Sequence, residues 1–275
     1  DISAKFHGKP CVSYIGSDGS GHYVKMIHNG IEYADMQLIS ETYMILKNIL
    51  HLDNQNISDI FGVWNQGELN SYLMDIISNI LIKKDNNNYL IDCILDVAVG
   101  KGTGKWTCQE ALELNEPLNL ITESVFARYM SSLKSQRMLA SKILSGPEII
   151  PITHNKDDFI ENIRQSLYLC KIIAYTQGFS QLSNASKKYL WNLRCSDIAK
   201  IFRAGCIIQA KCLNKIVKVY KYDDVIINLL LSPEFQNIAN VYQNSLRKVV
   251  SYVVAQGVAI PTFSSALSYY DSYRT

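Results

Sequence analysis

The sequence predicts a mainly α-helical protein. Apolar residues recur at helical spacing through several long stretches, and after Gly16 almost no run alternates with period two between hairpin turns. With 275 residues, 48% of them hydrophobic, the chain can bury a large core in one big domain or two small ones.

Taken in order, residues 11–15, CVSYI, read as a short strand that closes at the glycine-rich turn marked by Gly16, Gly19 and Gly21. A long helix starts near Ser20. Helical segments follow at 57–65 and 68–84, the second ended by the polar loop KKDNNN. The stretch VAVGKGTGKWT reads as a glycine-punctuated loop and 122–144 as another long amphipathic helix. GPEIIP, with Pro147 and Pro151, makes a break between two helical halves. The second half offers helices at 156–182, 197–220 and 233–256. Two long helices, one opening each half, raise an internal duplication that residue similarity between them does not establish. The apolar run at 225–231, VIINLLL, suits an interface as well as a core.

Charge and cysteine usage exclude several function classes. A formal charge of +2, with no block of five or more like charges, argues against a nucleic-acid partner. The seven cysteines are scattered, without a Cys-x-x-Cys pair or histidines at zinc spacing. They read as reduced thiols of a cytoplasmic protein, and no metal is expected. No apolar run reaches the roughly 18 residues a membrane span needs, because VVSYVVAQGVAIP is interrupted by Ser251, Gln256 and Gly257. The N-terminal DISAKFHGKP has neither the apolar core of a signal peptide nor an initiator Met, so the chain reads as one entered partway through.

The stretch GSGHYVKMIHNGIEYADMQLI, from Gly19 to Ile39, sets a lysine, a histidine, an asparagine and a glutamate within eight positions. At about 100° per residue, Lys25, His28, Asn29 and Glu32 share an arc of roughly 100°. Ile27, Ile31, Ala34 and Leu38 fall on the opposite side, as on a helix packed against a core. Met26, Tyr33 and Met36 narrow the polar stripe toward the wall of a cleft. Lys25 and Glu32 stand about 10 Å apart along the axis, too far to pair well. Periodicity alone fits a solvated face equally with a site in which a small substrate lies between a base and an acid. The second reading needs a desolvated cleft that lowers the lysine pKa and raises that of the glutamate.

A second constellation is the loop of Gly100, Lys101, Gly102, Thr103, Gly104, Lys105 and Trp106. It is not a P-loop, since the glycine spacing is one residue short and Trp106 stands where Ser or Thr should follow the lysine. Backbone N–H groups exposed by three glycines, with Lys101 and Thr103 between them, remain sensible ligands for a phosphate. Taken alone the loop reads first as a tight turn with an exposed lysine. Arg128, on the segment that follows, could add a bidentate guanidinium, or serve only as a surface ion-pair residue.

At this point the motifs meet a known pattern. GSGHYVKMIHNGIEYADMQLI, WNQGELNSYLMDII, ILDVAVGKGTGKWT, ITESVFARYMSSLK, YTQGF, IAKIFRAGCII and FSSALSYYDSYR resemble, in that order, segments of the decarboxylating 6-phosphogluconate dehydrogenases. Gly19, Gly21, Lys25 and Asn29 resemble the wider β-hydroxyacid dehydrogenase signature, while Glu32, Tyr33 and KGTGKW resemble the 6-phosphogluconate branch. The resemblance implies an all-α fold, the large helical bundle-like C-terminal domain of that family, over 19–275. Residues 1–18 are then a short strand remnant from the end of an NADP-binding domain.

The resemblance also implies a reaction: NADP-dependent oxidation at carbon 3 of 6-phosphogluconate, loss of carbon dioxide, and tautomerisation of an enediol to ribulose 5-phosphate. Lys25 would be the base that later returns a proton, and Glu32 the acid at carbon 1. His28 and Asn29 would hold substrate hydroxyls, and Tyr33, Lys101, Thr103 and Arg128 the phosphate. A cytoplasmic homodimer is implied. Departures are equally informative. Gly100 replaces a usual glutamine, which would loosen its loop, and AIPTFSS looks slightly short. No Gly-x-Gly-x-x-Gly occurs. The partner-crossing tail with its Arg and His is absent, so the chain is expected to be inactive alone. The competing expectations are another β-hydroxyacid dehydrogenase, disfavoured by Glu32 and the phosphate set, or a silent helical dimerisation domain, disfavoured by intact Lys25 and Glu32.

Overall fold

A computed structural model of the chain describes residues 2–222 and 226–275; Asp1 and Val225, the first residues of the N-terminal remnant and of the VIINLLL run, lie outside them. Regular structure among the described residues is helical apart from two antiparallel hairpins, as the scarcity of alternating runs predicts. In the first, β1 (Lys5–Phe6) pairs with β2 (Lys9–Pro10) across His7 and Gly8, both at positive φ as a two-residue hairpin turn requires. The strand expected at 11–15 does not form. The Cys11 N–H still donates to the Ala4 carbonyl at 2.8 Å, but beyond it Val12 and Tyr14 are exposed and no described strand lies alongside to pair with them.

Helix α1 (Ser20–Asn48) begins where the sequence predicts and buries Ile27, Ile31, Ala34 and Leu38 completely. Next come α2 (Asn54–Asn65) and α3 (Tyr72–Leu81). The second is shorter than the expected 68–84 because Ser71 caps it, accepting from the Met74 N–H at 3.3 Å. The KKDNNN loop contains the second hairpin, β3 (Lys84–Asp85) with β4 (Asn88–Tyr89), followed by the single turn α4 (Leu90–Cys93). Helix α5 (Thr103–Glu113) starts inside the expected glycine loop. The expected helix 122–144 is two, α6 (Asn119–Ser132) and α7 (Lys134–Ile143), divided at Leu133, where ψ is 37°.

Helix α8 (Lys156–Tyr189) is buried on every side from Ser166 to Phe179, which makes it the central element. The expected helix 197–220 is interrupted. Between α9 (Cys195–Ile201) and α10 (Cys212–Tyr222) the chain turns at Gly205, whose φ of +73° no other residue would adopt without strain. A 3₁₀ turn (Leu229–Leu231) leads into α11 (Pro233–Ala255), and α12 (Pro261–Arg274), not expected from the sequence, follows. No helix of the described residues is long and apolar enough to cross a membrane.

Two buried polar side chains on the long helices close the orphan N–H groups of other helices. Gln177 of α8 accepts from the Leu120 and Ile121 N–H groups at 3.1 and 3.3 Å, at the start of α6. Glu41 of α1 accepts from Thr262 and Phe263 at the start of α12, at 3.0 and 3.1 Å. These contacts fix α6 and α12 around the α1–α8 pair.

Candidate active site

The stripe on α1 faces the start of α5, and two glycines allow the approach. A Cβ on Gly104 would lie 2.7 Å from the Tyr33 ring, and one on Gly30 would lie 2.8 Å from Thr107. Thr107 Oγ1 donates within reach of two carbonyls, that of Met26 at 3.0 Å and that of Thr103 at 2.9 Å, which ties α5 to α1.

Along the stripe the polar groups form a chain. Lys25 Nζ lies 3.2 Å from His28 Nδ1, which lies 3.1 Å from Asn29 Oδ1 and 3.8 Å from Glu32 Oε2. His28 therefore stands between the lysine and the glutamate that the sequence left apart. Asn29 Nδ2 donates to Thr103 Oγ1 at 3.2 Å, and the Lys101 N–H donates to the Tyr33 hydroxyl at 3.1 Å. The Arg128 guanidinium stacks on the Tyr33 ring at 3.8 Å and donates to the Val99 carbonyl at 3.4 Å. The residues picked out from the sequence thus fall in two contact sets, Lys25, His28, Asn29, Glu32 and Thr103 in one and Tyr33, Lys101 and Arg128 in the other, joined through the α1 backbone and the 100–106 loop.

Electrostatics divide the set. Burial, then the Lys25 charge, lowers His28 to about 4 against the raising contact with Asn29, so its ring is neutral at pH 7. Burial raises the Glu32 carboxyl, opposed by Lys25, Arg128 and Lys101, all of which favour its charged form. A carboxyl held above its usual range can deliver a proton. The desolvated cleft expected from the sequence is realised around His28 and Glu32; Lys25 itself is exposed. Two hollows flank it. A cleft of about 600 Å³ opens beside Lys25 and Thr103, walled by Tyr23, Trp106, Tyr189 and Trp191, and a recess of about 180 Å³ is lined by Tyr33, Gly100, Gly102, Lys105 and Arg128. A Cβ on Gly100 would meet only Tyr129, at 3.8 Å, so the glycine found in place of the usual glutamine leaves open space there.

Comparison with known proteins identifies the family. The family described as 6-phosphogluconate dehydrogenase, C-terminal domain, covers residues 21–275. The chain belongs to the 6-phosphogluconate dehydrogenase family. The decarboxylating 6-phosphogluconate dehydrogenase of Buchnera aphidicola subsp. Baizongia pistaciae is 64% identical over 275 residues, all of this chain and 59% of that protein. That of Escherichia coli (strain K12) is 60% identical over 268 residues, 97% of this chain and 57% of that protein. The Plasmodium falciparum 6-phosphogluconate dehydrogenase, solved in its apo form, with its cofactor NADP+ and with its substrate 6-phosphogluconate, superposes with a TM-score of 0.95. It is 44% identical, and the match covers 98% of this chain and 59% of that one. The chain therefore spans less than two thirds of the length of these relatives.

Sequence reasoning missed the residues that hold this 6-phosphogluconate dehydrogenase domain's stripe in place. Thr107, Gln181 and Asp35 read as ordinary helical polar residues, and only the crossing of α1 with α5 and α8 gives them partners. The walls Tyr23 and Trp191 lie 168 positions apart, and no local signal joins them.

Proposed function

We propose that this chain is the substrate-binding half of an enzyme that oxidatively decarboxylates 6-phosphogluconate to ribulose 5-phosphate and carbon dioxide with reduction of NADP. The observation that carries the reading is the convergence of the α1 stripe on the 100–106 loop through Asn29 to Thr103 and Tyr33 to Lys101. Residues 19–275 form the substrate domain in this reading, and 1–18 the end of a cofactor domain.

Lys25 takes the proton of the 3-hydroxyl and returns one to the keto oxygen after carbon dioxide leaves. It does so as the neutral amine beside a neutral His28, and the ammonium formed is the acid that returns the proton. Glu32 protonates carbon 1 of the enediol, a role favoured by its raised pKa. His28 and Asn29 orient the sugar hydroxyls, and Tyr33, Lys101, Thr103 and Arg128 hold the phosphate at the 100–106 loop, next to the recess that the stacked Arg128 and Tyr33 line. The described residues do not fit the dinucleotide. They build two short hairpins and no parallel sheet, and the sequence has no Gly-x-Gly-x-x-Gly, so NADP is assigned outside 19–275. The chain works in the cytoplasm as a homodimer and makes no NADPH alone.

A calorimetric titration of the chain with 6-phosphogluconate tests the reading. Binding is expected, and the Lys101→Ala, Arg128→Ala double substitution is expected to abolish it. Binding that survives the double substitution would remove the phosphate assignment. Production of NADPH by the chain alone would overturn the division of labour.

A further inference from the structure

Helices α1 and α8 run antiparallel and are held together at three heights. Near the start of α1, Gln181 Nε2 donates to the Tyr23 hydroxyl at 3.3 Å and to the Thr107 carbonyl at 3.0 Å. In the middle, Ile31 sits on Gly178, where a Cβ would lie 2.6 Å from Ile31 Cδ1. Further along, Lys171 Nζ donates to both oxygens of Asp35, at 2.7 and 2.6 Å, with the two side chains 1% and 2% exposed. The stripe from Lys25 to Glu32 lies between the first contact and the third.

The third contact differs in kind from the packing around it. Taking two charges out of water costs so much that a buried pair adds little to stability, and an apolar pair of similar volume does as well or better. What an ion pair does supply is register. Apolar side chains tolerate a slip of one helix along another, whereas a slip that separates Lys171 from Asp35 leaves two unpaired charges in the core. Asp35 stands two turns beyond His28 and within about 20° of it around the axis, at the edge where the active stripe meets the core face. A displacement of α1 at Asp35 is therefore carried directly to His28 and Glu32.

We propose that Asp35 and Lys171 are positioning residues, whose buried ion pair sets the register of α1 on α8 and so holds Lys25, His28 and Glu32 opposite the 100–106 loop. The proposal rests on the reading of that stripe as the active site. It assigns the pair no contact with substrate.

The test replaces both charges at once, Asp35→Leu with Lys171→Met, and reads the His28 ring by ¹⁵N and ¹H NMR in the substrate-free chain, alongside thermal unfolding and titration with 6-phosphogluconate. The double variant is expected to unfold at the same temperature or higher, with displaced His28 ring signals and an affinity for 6-phosphogluconate lower by about tenfold, since small misplacements of binding groups are costly. A pair that served stability alone would lower the unfolding temperature without moving the ring signals, and that result would overturn the proposal. Should the double variant not fold, Asp35→Glu keeps both charges but lengthens the link between α1 and α8 by one methylene, and is read by the same displacement of the His28 ring signals and loss of affinity. A wild-type chain that fails to bind 6-phosphogluconate counts against the proposed function, while the ring signals still decide the register.

Discussion

His28 has one ring nitrogen in contact with three groups and another, Nε2, buried without a hydrogen-bond partner among the described residues. A neutral imidazole carries one N–H, so only one of the two nitrogens can donate. When Lys25 is charged it donates to Nδ1, and the ring proton sits on Nε2, edge-on to Phe202 at 5.2 Å. When Lys25 is neutral, Nδ1 can carry the proton and donate to Asn29 Oδ1. The tautomer of His28 thus follows the protonation of the proposed base. Because the folded pKa, about 4, lies below the ordinary 6.5, the unfolded chain binds the proton first as pH falls. The stability His28 contributes is complete above pH 6.5 and is lost as pH falls toward 4, by roughly 3 kcal/mol. The difference in unfolding free energy between wild type and His28→Gln should be level above pH 6.5 and shrink below it; a difference level from pH 4 to 7 would contradict this. At Glu32 the expectation is a separation of roles. Glu32→Gln should leave 6-phosphogluconate affinity within about threefold, because it removes a negative group near an anion, whereas Lys101→Ala should weaken it by about tenfold or more. Titration calorimetry on both variants checks this, and equal losses would sink the assignment. At this scale the sequence was informative where function is local. Spacing put Lys25, His28, Asn29 and Glu32 on one face, but the central place of His28 depends on rotamers and on Phe202 from another helix.

Helix packing adds constraints that single residues do not reveal. Gly104 lets α5 approach α1, and a methyl there would lie 2.7 Å from the Tyr33 ring and 3.0 Å from Val125, displacing the ring whose hydroxyl accepts from the Lys101 N–H. Gly104→Ala should cost about 1–3 kcal/mol in urea unfolding, as overpacking does. Gly62→Ala, in α2 with nothing within 4 Å of the new methyl, should instead stabilise by about 0.5–1 kcal/mol. Equal effects at the two sites would mean that the close approach is not under strain. The Glu41 cap on α12 is titratable in the opposite sense to His28. Burial raises its carboxyl to about 7 even though Gln37, Thr262 and Phe263 hydrogen-bond it. With the folded pKa above the ordinary 4.5, its stabilising contribution is full below 4.5 and lost as pH rises through 7. Wild type should therefore lose stability relative to Glu41→Gln between pH 5 and 8, and a pH-independent difference would refute the cap's titration. Element existence was legible from apolar periodicity most clearly for α1, while α12 was not expected and α8 is buried on every side over its centre. Boundaries were less so: α3 is set by the Ser71 cap, and the break between α6 and α7 accompanies Arg137 reaching back to the Ser131 carbonyl at 3.0 Å. Neither interaction leaves a trace in hydrophobic pattern.

On the scale of the whole molecule, the core is centred on α8 and leaves α7 almost unused. Helix α7 buries none of its residues, yet Met138, Leu139 and Ile143 are more than half exposed, and Phe126 and Met130 of the neighbouring α6 are exposed with them. Composition alone could not distinguish these side chains from core, because a buried helix and an interface helix draw on the same residues. Exposed apolar side chains on these two consecutive helices offer the proposed homodimer a face for another chain to cover. For a homodimer the covering chain is a second copy, so a single charge introduced in the patch appears twice at a two-fold interface. Ile143→Lys should then shift the chain from dimer to monomer in sedimentation equilibrium, while the thermal unfolding of the monomer changes little because Ile143 contributes nothing to the core. A wild-type chain that sediments as a monomer at all concentrations would remove the homodimer from the proposal. A variant that remains dimeric would move the interface to another face and leave the exposure of α7 without a partner.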